Sequence, residues 1–355
     1  MNSNASEAGS LLEDAKWAFS TRRVERSDAI RLRQDVEHAK PGDLVLARVE
    51  RIGSHQRLQL SNGRPAELYL GDLIVAACGA RYAADQFEGV AEIEPQGADL
   101  LAGGGCIGRM RLRNARMKQP TRVVPLGLVA DRAGQVINLA RYALPARERP
   151  RGLSAIAVVG ASMNAGKTTA VAALVHGLRR AGYRVAAIKA TGTGAFGDYN
   201  AYADAGAHCV ADFTDTGMTS TYLQPIERLE RALDTLLATA HEAGCDVAVV
   251  EFADGVLQRE TAALLRNPRV RSAFNGFVYA VPDSLAALGG CVALRELEIV
   301  PAALTGLICT SPLNMCEAEQ ATGLPVLSRE QLADPAASAA LLRSTGLQAA
   351  AARAA

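Results

Sequence analysis

The sequence predicts an α/β fold, with a mainly parallel sheet flanked by helices in its C-terminal half and a smaller β-rich domain ahead of it. Three observations predict it. From Ser154 onward, short continuous apolar runs alternate with helical stretches, the pattern of parallel strands buried on both faces. The first of these runs feeds a glycine-bearing turn that ends in Gly166-Lys167-Thr168-Thr169. Before residue 144 the texture is different: short alternating runs broken by Ser-Asn-Gly at 61–63 and by Gly71-Asp72, as in antiparallel hairpins.

In chain order, residues 1–10 are polar and expected to lack structure, and 11–40 suit one or two short surface helices; 1–40 is read as one N-terminal segment. The β-rich domain is placed at 41–143, with strands over Asp43–Ile52, Arg57–Ser61, Glu67–Leu70, Asp72–Ala77 and Arg109–Arg113, and it is barrel-like in pattern. The Pro- and Arg-rich stretch 144–152 reads as a linker. The P-loop domain follows at 153–333, its apolar strands over Ser154–Val159, Arg184–Ile188, Val247–Phe252, Gly276–Val281 and Thr305–Cys309, its helices over Lys167–Arg180 and Ile226–Ala243. The Ala-rich tail 334–355 reads as a weak helix fraying into disorder.

The chain has 355 residues, enough for two domains. Its formal net charge of +1 and 5% aromatic content argue against a nucleic-acid-dependent motor. Seven cysteines without a C-x-x-C pair read as reduced thiols packed as small hydrophobes. The acidic N-terminus has no signal pattern, and no apolar run approaches the roughly 18 residues of a membrane span. The expectation is a cytoplasmic protein with no membrane partner.

The loop Gly160-Ala161-Ser162-Met163-Asn164-Ala165-Gly166-Lys167-Thr168-Thr169 carries the chemistry. A strand enters it and a helix leaves it. In that setting successive main-chain N–H groups surround a phosphate and the helix dipole adds positive potential. Lys167 then reaches the β- and γ-phosphates and Thr168 holds Mg²⁺. Five residues separate the two glycines, one more than the usual four, and Ala161 takes the usual first-glycine place. The bland alternative is a chance Gly-Lys-Thr-Thr at a helix start.

Three further groups surround it. Lys189 ends the second strand and opens a loop with Thr191 and Thr193, at the strand edge where open α/β sheets bind ligands. Lys189 would stabilise a transferring phosphoryl group or hold a substrate carboxylate; the alternative is a solvated lysine. Glu251 ends a buried strand, the usual place for a metal-coordinating carboxylate, with Asp254 as second candidate or helix cap. Among Asp198, Asp204, Asp212 and Asp215, Asp198 is favoured to complete a metal shell. Thr219 and Ser220 lie in a hydroxyl-rich stretch that lines a substrate pocket or makes an ordinary turn. The catalytic set is therefore Lys167, Lys189 and Glu251; the metal set is Thr168, Glu251 and Asp198; the substrate set is Lys189, Thr191, Thr193, Asp254, Thr219 and Ser220. In the β-rich domain, Arg109, Arg111 and Arg113 alternate on one face, as an anion site or a solvated stripe, and Cys106 has no evident base.

The long loop Gly160–Thr168, Lys189 and Val250-Glu251-Phe252-Ala253-Asp254-Gly255 resemble dethiobiotin synthetase. The segments Lys189–Asp198, Asp204-Ala205-Gly206 and Ala253–Thr261 make the C-terminal domain of D-glutamate N-acetyltransferase-like proteins the nearer resemblance, over roughly residues 153–330. Dethiobiotin synthetase-like chemistry implies ATP (or another NTP) with Mg²⁺, activating a small carboxylate or amino-acid-type metabolite before an amide or related bond forms. The acetyltransferase resemblance implies acetyl-CoA and N-acylation of an amino acid. A third reading is a nucleotide-switch ATPase or GTPase. The superfamily also implies a homo-oligomer. Cys309-Thr310-Ser311 stand where these synthetases carry a base-contacting Asn, which leaves adenine over guanine undecided.

Overall fold

The computed structural model describes residues 2–345, with side chains from residue 8. The expected disorder of residues 1–10 is corrected for the described part: Asn2–Asp14 is helical. Of 11–40, Leu11–Asp14 belongs to that helix and only three short 3-10 turns follow, Phe19–Thr21, Arg26–Asp28 and Val36–His38, in place of the expected surface helices. Lys16–Trp17 pairs as a strand with Leu73–Cys78, and Trp17 and Phe19 are buried. Trp17 donates its indole N–H to the Leu12 carbonyl, 3.1 Å away, which lets a large aromatic close the sheet edge without stranding its donor.

By contacts the chain forms two units. The first holds residues up to Pro145 together with Gly192–Phe196 and Phe213–Gln224. Five strands make a closed ring in it. Leu44–Arg51 pairs with Leu73–Cys78 and with Thr121–Ala130; Thr121–Ala130 pairs with Ala98–Ala102; Ala98–Ala102 pairs with Cys106–Arg113; and Cys106–Arg113 returns to Leu73–Cys78 in parallel. Closure leaves no open edge in the ring. Successive residues of Leu44–Val49 point to opposite faces. Val45, Ala47 and Val49 join Ile74, Leu100, Ile107 and Val123 in one apolar cluster, while Leu44 and Leu46 join Trp17, Val75 and Val129 in another. Burial on both faces explains a run that is nearly continuous in apolar residues. The two later segments are stitched in by polar bonds: Arg22 pairs with Asp215 at 2.8 Å, Gly194 N donates to the Thr219 carbonyl, and Phe196 N donates to Gln59 Oε1 at 2.7 Å.

The second unit is a six-stranded sheet, every pairing parallel, in the order Cys209–Asp212, Val185–Lys189, Val247–Glu251, Ser154–Gly160, Gly276–Ala280, Ala303–Thr305. It is a P-loop NTPase-type α/β arrangement, helices covering a parallel sheet. Ile226–Glu242 buries Leu229, Leu233, Leu236, Leu237 and Ala240, the stripe of a 3.6-residue period. Lys167–Arg180 buries Val171, Leu174, Val175 and Leu178.

The helix expected in the tail is present. Pro335–Ser344 is a capped helix, Asp334 accepting from the Ala337 N–H at 2.8 Å, with Leu341 and Leu342 in the same core as Leu174 and Leu178. Tertiary packing outweighs the weak local signal. Residues 346–355 of the predicted tail lie outside the described residues. The approach is close: a Cβ on Gly177 would meet the Leu332 carbonyl at 2.6 Å and Ser338 Oγ at 2.7 Å. Substituting Gly177→Leu should therefore destabilise the fold by about 1–3 kcal/mol through overpacking against main chain. Urea unfolding checks this, and an unchanged midpoint would show that the tail does not seat there.

Candidate phosphate-binding site

The site is built at the carboxyl ends of three neighbouring strands. Register pairs place Val158, Lys189, Asp212 and Glu251 in one row across the sheet. Where Ser154–Gly160 ends, the chain turns through the loop and re-enters as the helix Lys167–Arg180. Two turns of backbone have positive φ, Asn164 at 61° and Gly166 at 103°. Main-chain bonds fix the loop from three sides: Ala161 N to the Ala280 carbonyl, Val256 N to the Gly160 carbonyl, and Leu307 N to the Ala165 carbonyl. Gly306 is required at the third. Its φ is 106°, and a Cβ there would lie 2.2 Å from the Ala165 oxygen. The first-turn amides of the helix, Lys167, Thr168 and Thr169 among them, have no carbonyl one turn earlier to accept them. They present donors and the positive end of a dipole.

Lys167 is buried, and its Nζ donates to the carbonyls of Ser162 (2.7 Å) and Asp254. Burial holds its pKa below the ordinary lysine value, against the attraction of Glu251 and Asp254. Thr168 Oγ1 donates to Asp198 Oδ1 at 2.8 Å, and Lys189 pairs with Asp198 Oδ2. Burial opposes the Lys189 charge, but the carboxylates of Asp198 and Glu251 outweigh it and raise that pKa. Burial likewise opposes the Asp198 charge, and Lys189 and Thr168 outweigh it, so that pKa is lowered. Glu251 is different. Burial, with repulsion from Asp198, raises its pKa despite both lysines, and the Tyr202 hydroxyl donates to it.

The predicted residues thus divide. Lys167, Thr168, Lys189, Asp198 and Glu251 are brought together in the second unit. Asp254 contributes its carbonyl to Lys167. Thr191 is buried and donates to the Ala253 carbonyl at 2.5 Å, as Thr261 does at 2.6 Å, so the two hydroxyls hold the Phe252–Gly255 turn. Thr193, Thr219 and Ser220 fall in the first unit. Thr193 and Ser220 form a β-bridge, and Thr219 donates to the Cys78 carbonyl at 3.2 Å. Ser162, Asn164 and Thr169 are exposed. The Arg109 and Arg111 side chains pair with Glu92, as a solvated stripe does, and burial pushes the Cys106 thiol up to about 12, so it is no nucleophile at neutral pH. Two residues escaped the sequence reading. Tyr202 lies four residues after Asp198 on the helix Phe196–Asp204, so both reach the same side, and that spacing was a readable signal. Gly306 had only the local sign of a glycine after a strand.

No protein family's model matches the chain, and no curated protein does. Among solved structures it is similar to cell division protein FtsY from Thermotoga maritima, at 20% identity over 56% of this chain and 70% of that one, with a TM-score of 0.36. It is similar to signal recognition particle receptor FtsY from Elizabethkingia anophelis (16% identity, 50% and 59% covered, TM-score 0.34). It is also similar to the signal recognition particle 54 kDa protein from Aeropyrum pernix K1, determined in complex with GDP (19% identity, 56% and 50% covered, TM-score 0.34). The chain spans 50–59% of the length of the latter two. The dethiobiotin synthetase and D-glutamate N-acetyltransferase resemblances are not shown by these findings. The expectation of an ATP-dependent ligase or an N-acyltransferase is corrected: the structural neighbours are signal recognition particle proteins. Acetyl-CoA has no support in these findings. No helix among the described residues is long and apolar enough to cross a membrane.

Asp198→Asn should destabilise the protein at pH 7 by on the order of 3 kcal/mol, because it leaves the Lys189 ammonium buried without its partner. Asp198 has a lowered folded pKa, so its contribution is complete above the unfolded value of about 3.8 and is lost as pH falls through the folded value. The gap between wild type and variant in urea unfolding should accordingly narrow below pH 3.8; a gap constant from pH 7 to pH 3 would refute the pairing.

Proposed function

We propose that this chain is a nucleotide-operated switch: a P-loop protein that binds a purine nucleoside triphosphate with Mg²⁺ at residues 160–169 and hydrolyses it slowly. The observation that carries the reading is the sharing of one carboxylate, Asp198, between Thr168 and Lys189 beside a loop whose lysine is satisfied only by main-chain carbonyls. Among the described residues Lys167 Nζ bonds only to the carbonyls of Ser162 and Asp254, and a phosphate would supply the anion. Thr168 and Asp198 offer two hard oxygen donors that fit Mg²⁺. No group of three or more His, Cys, Asp or Glu able to cage a metal occurs among the described residues, so the phosphate oxygens and water would complete the shell.

Mg²⁺ supplies charge neutralisation on the phosphates when bound. The protein's own part is positional. Thr168 and Asp198 would hold the ion, Lys189 pairs with that same carboxylate, and Asp198 shares its helix with Tyr202, whose hydroxyl donates to Glu251. The helix Phe196–Asp204 thereby links the loop hydroxyl to the buried glutamate.

In a thermal-shift titration, ATP or GTP with Mg²⁺ should stabilise the wild type by about 2.7 kcal/mol at a hundredfold excess over Kd. Lys167→Ala should abolish the shift, and Asp198→Asn should lose the part that depends on Mg²⁺. Single-turnover hydrolysis should run on the order of 0.01 s⁻¹ or slower. A wild type that no triphosphate shifts more than it shifts Lys167→Ala would end this reading.

A further inference from the structure

The helix Ser284–Arg295 in the second unit has two opposed faces. Ala287, Cys291 and Leu294 are buried, and Gly290 lies against the Tyr279 ring, where a Cβ would stand 2.3 Å from Cζ. The other face is apolar and open. Leu285 is 77% exposed, Leu288 39% and Val292 49%, at the spacing of one helical stripe, with Gly289 between them and nothing within 4 Å of a Cβ built on it. The adjoining helix Pro312–Thr322 extends the apolar surface. Ser284 Oγ donates to Glu317 at 2.9 Å, and Leu313, one turn before Glu317 on the same helix face, is 76% exposed. Single exposed leucines are ordinary, whereas a stripe of them marks an interaction surface.

We infer that this stripe is the interface with a second copy of the chain, two Ser284–Arg295 helices packing antiparallel about a two-fold axis near Leu288 and Gly289. Three features select that occupant. The stripe is self-complementary about its centre: under antiparallel pairing Leu285 meets Val292 of the other copy, and Leu288 sits over the space at Gly289. Exposed Asp283 caps the N-terminus, and exposed Arg295 stands in the last turn at the end of the Leu285–Leu288–Val292 stripe, with exposed Glu296 next to it at the cap. Antiparallel packing brings each Asp283 to the other copy's Arg295, and it opposes the two helix dipoles. The exposed centre holds no charge that burial would strand, since Leu285 to Val292 are all apolar or glycine. The inference stands on this surface alone and does not depend on the nucleotide reading.

Sedimentation of the full chain at 1–100 µM tests it. The wild type should be a dimer at the upper end of that range. Leu285→Glu and Gly289→Arg should each raise the dimer dissociation constant at least tenfold, with circular dichroism and melting of the diluted monomer unchanged, because both positions face solvent. Arg295→Asp should weaken the dimer, as it sets like charges together. A Gly289→Cys chain in a Cys316→Ser background should form a covalent dimer on mild oxidation, since residue 289 lies beside the axis. A wild type that stays monomeric at 100 µM overturns the inference. So does a dimer that survives Leu285→Glu and Gly289→Arg, or a stripe that binds lipid vesicles or another protein while the chain remains monomeric.

Discussion

Four charges, two buried and two half-buried, set the terms for the second unit. Lys167, Lys189, Asp198 and Glu251 meet at the ends of adjoining elements, and each ion alone would cost several kcal/mol to remove from water. Two ammonium groups and two carboxyls nearly cancel. The cancellation is uneven, however. Lys189 and Asp198 pair directly and sharpen each other's charge, whereas Lys167 and Glu251 drift toward their neutral forms under burial. Were a triphosphate to bind with a divalent cation, as proposed above, the donors nearest to hand for that cation would be Thr168 and Asp198, already in contact.

The loop exists to hold that arrangement open. It is tied by main-chain bonds to the Val256, Ala280 and Leu307 neighbourhoods, and the glycine at 306 lets a second backbone lie against Ala165. Backbone approach without side chains keeps the amides of the first helical turn pointed inward. An additional residue between the two glycines does not spoil this, because Asn164 absorbs it in a left-handed conformation that asparagine tolerates.

Much of the second unit was legible because its signals are local. An apolar strand, a glycine turn and an amphipathic helix sit next to one another in sequence, and the strands Val247–Glu251 and Gly276–Ala280 announce themselves by unbroken apolar runs. Lys167, Thr168, Lys189, Asp198 and Glu251 were legible for the same reason: each stands at the end or start of such an element. What was not legible depends on distant partners. Trp17 reads as a surface-helix residue until Leu73–Cys78 pairs beside it. The Ala-rich tail reads as frayed until the P-loop helix offers Gly177 and a greasy groove. Thr193, Thr219 and Ser220 read as pocket hydroxyls, yet their bonds run to the β-ring's own unit, a contact no local pattern encodes.

The β-ring in the first unit shows the same principle from the other side. Its strands pair across separations that sequence cannot rank, Cys106–Arg113 returning in parallel to Leu73–Cys78 across an intervening hairpin. Yet the consequence of closure is visible residue by residue. Once the ring closes and outer segments cover it, both faces of Leu44–Val49 must be apolar, whereas Cys106–Arg113 is buried over its first residues and exposed at its end. Arg109, Arg111 and Arg113 sit on that exposed end, and their charges are answered by Glu92 and by the Met117 carbonyl. Exposed ion pairs of this kind contribute little, about 0–1 kcal/mol each. That end of the strand is already paired with Phe87–Val90, so the arginines decorate a paired strand and not an open edge.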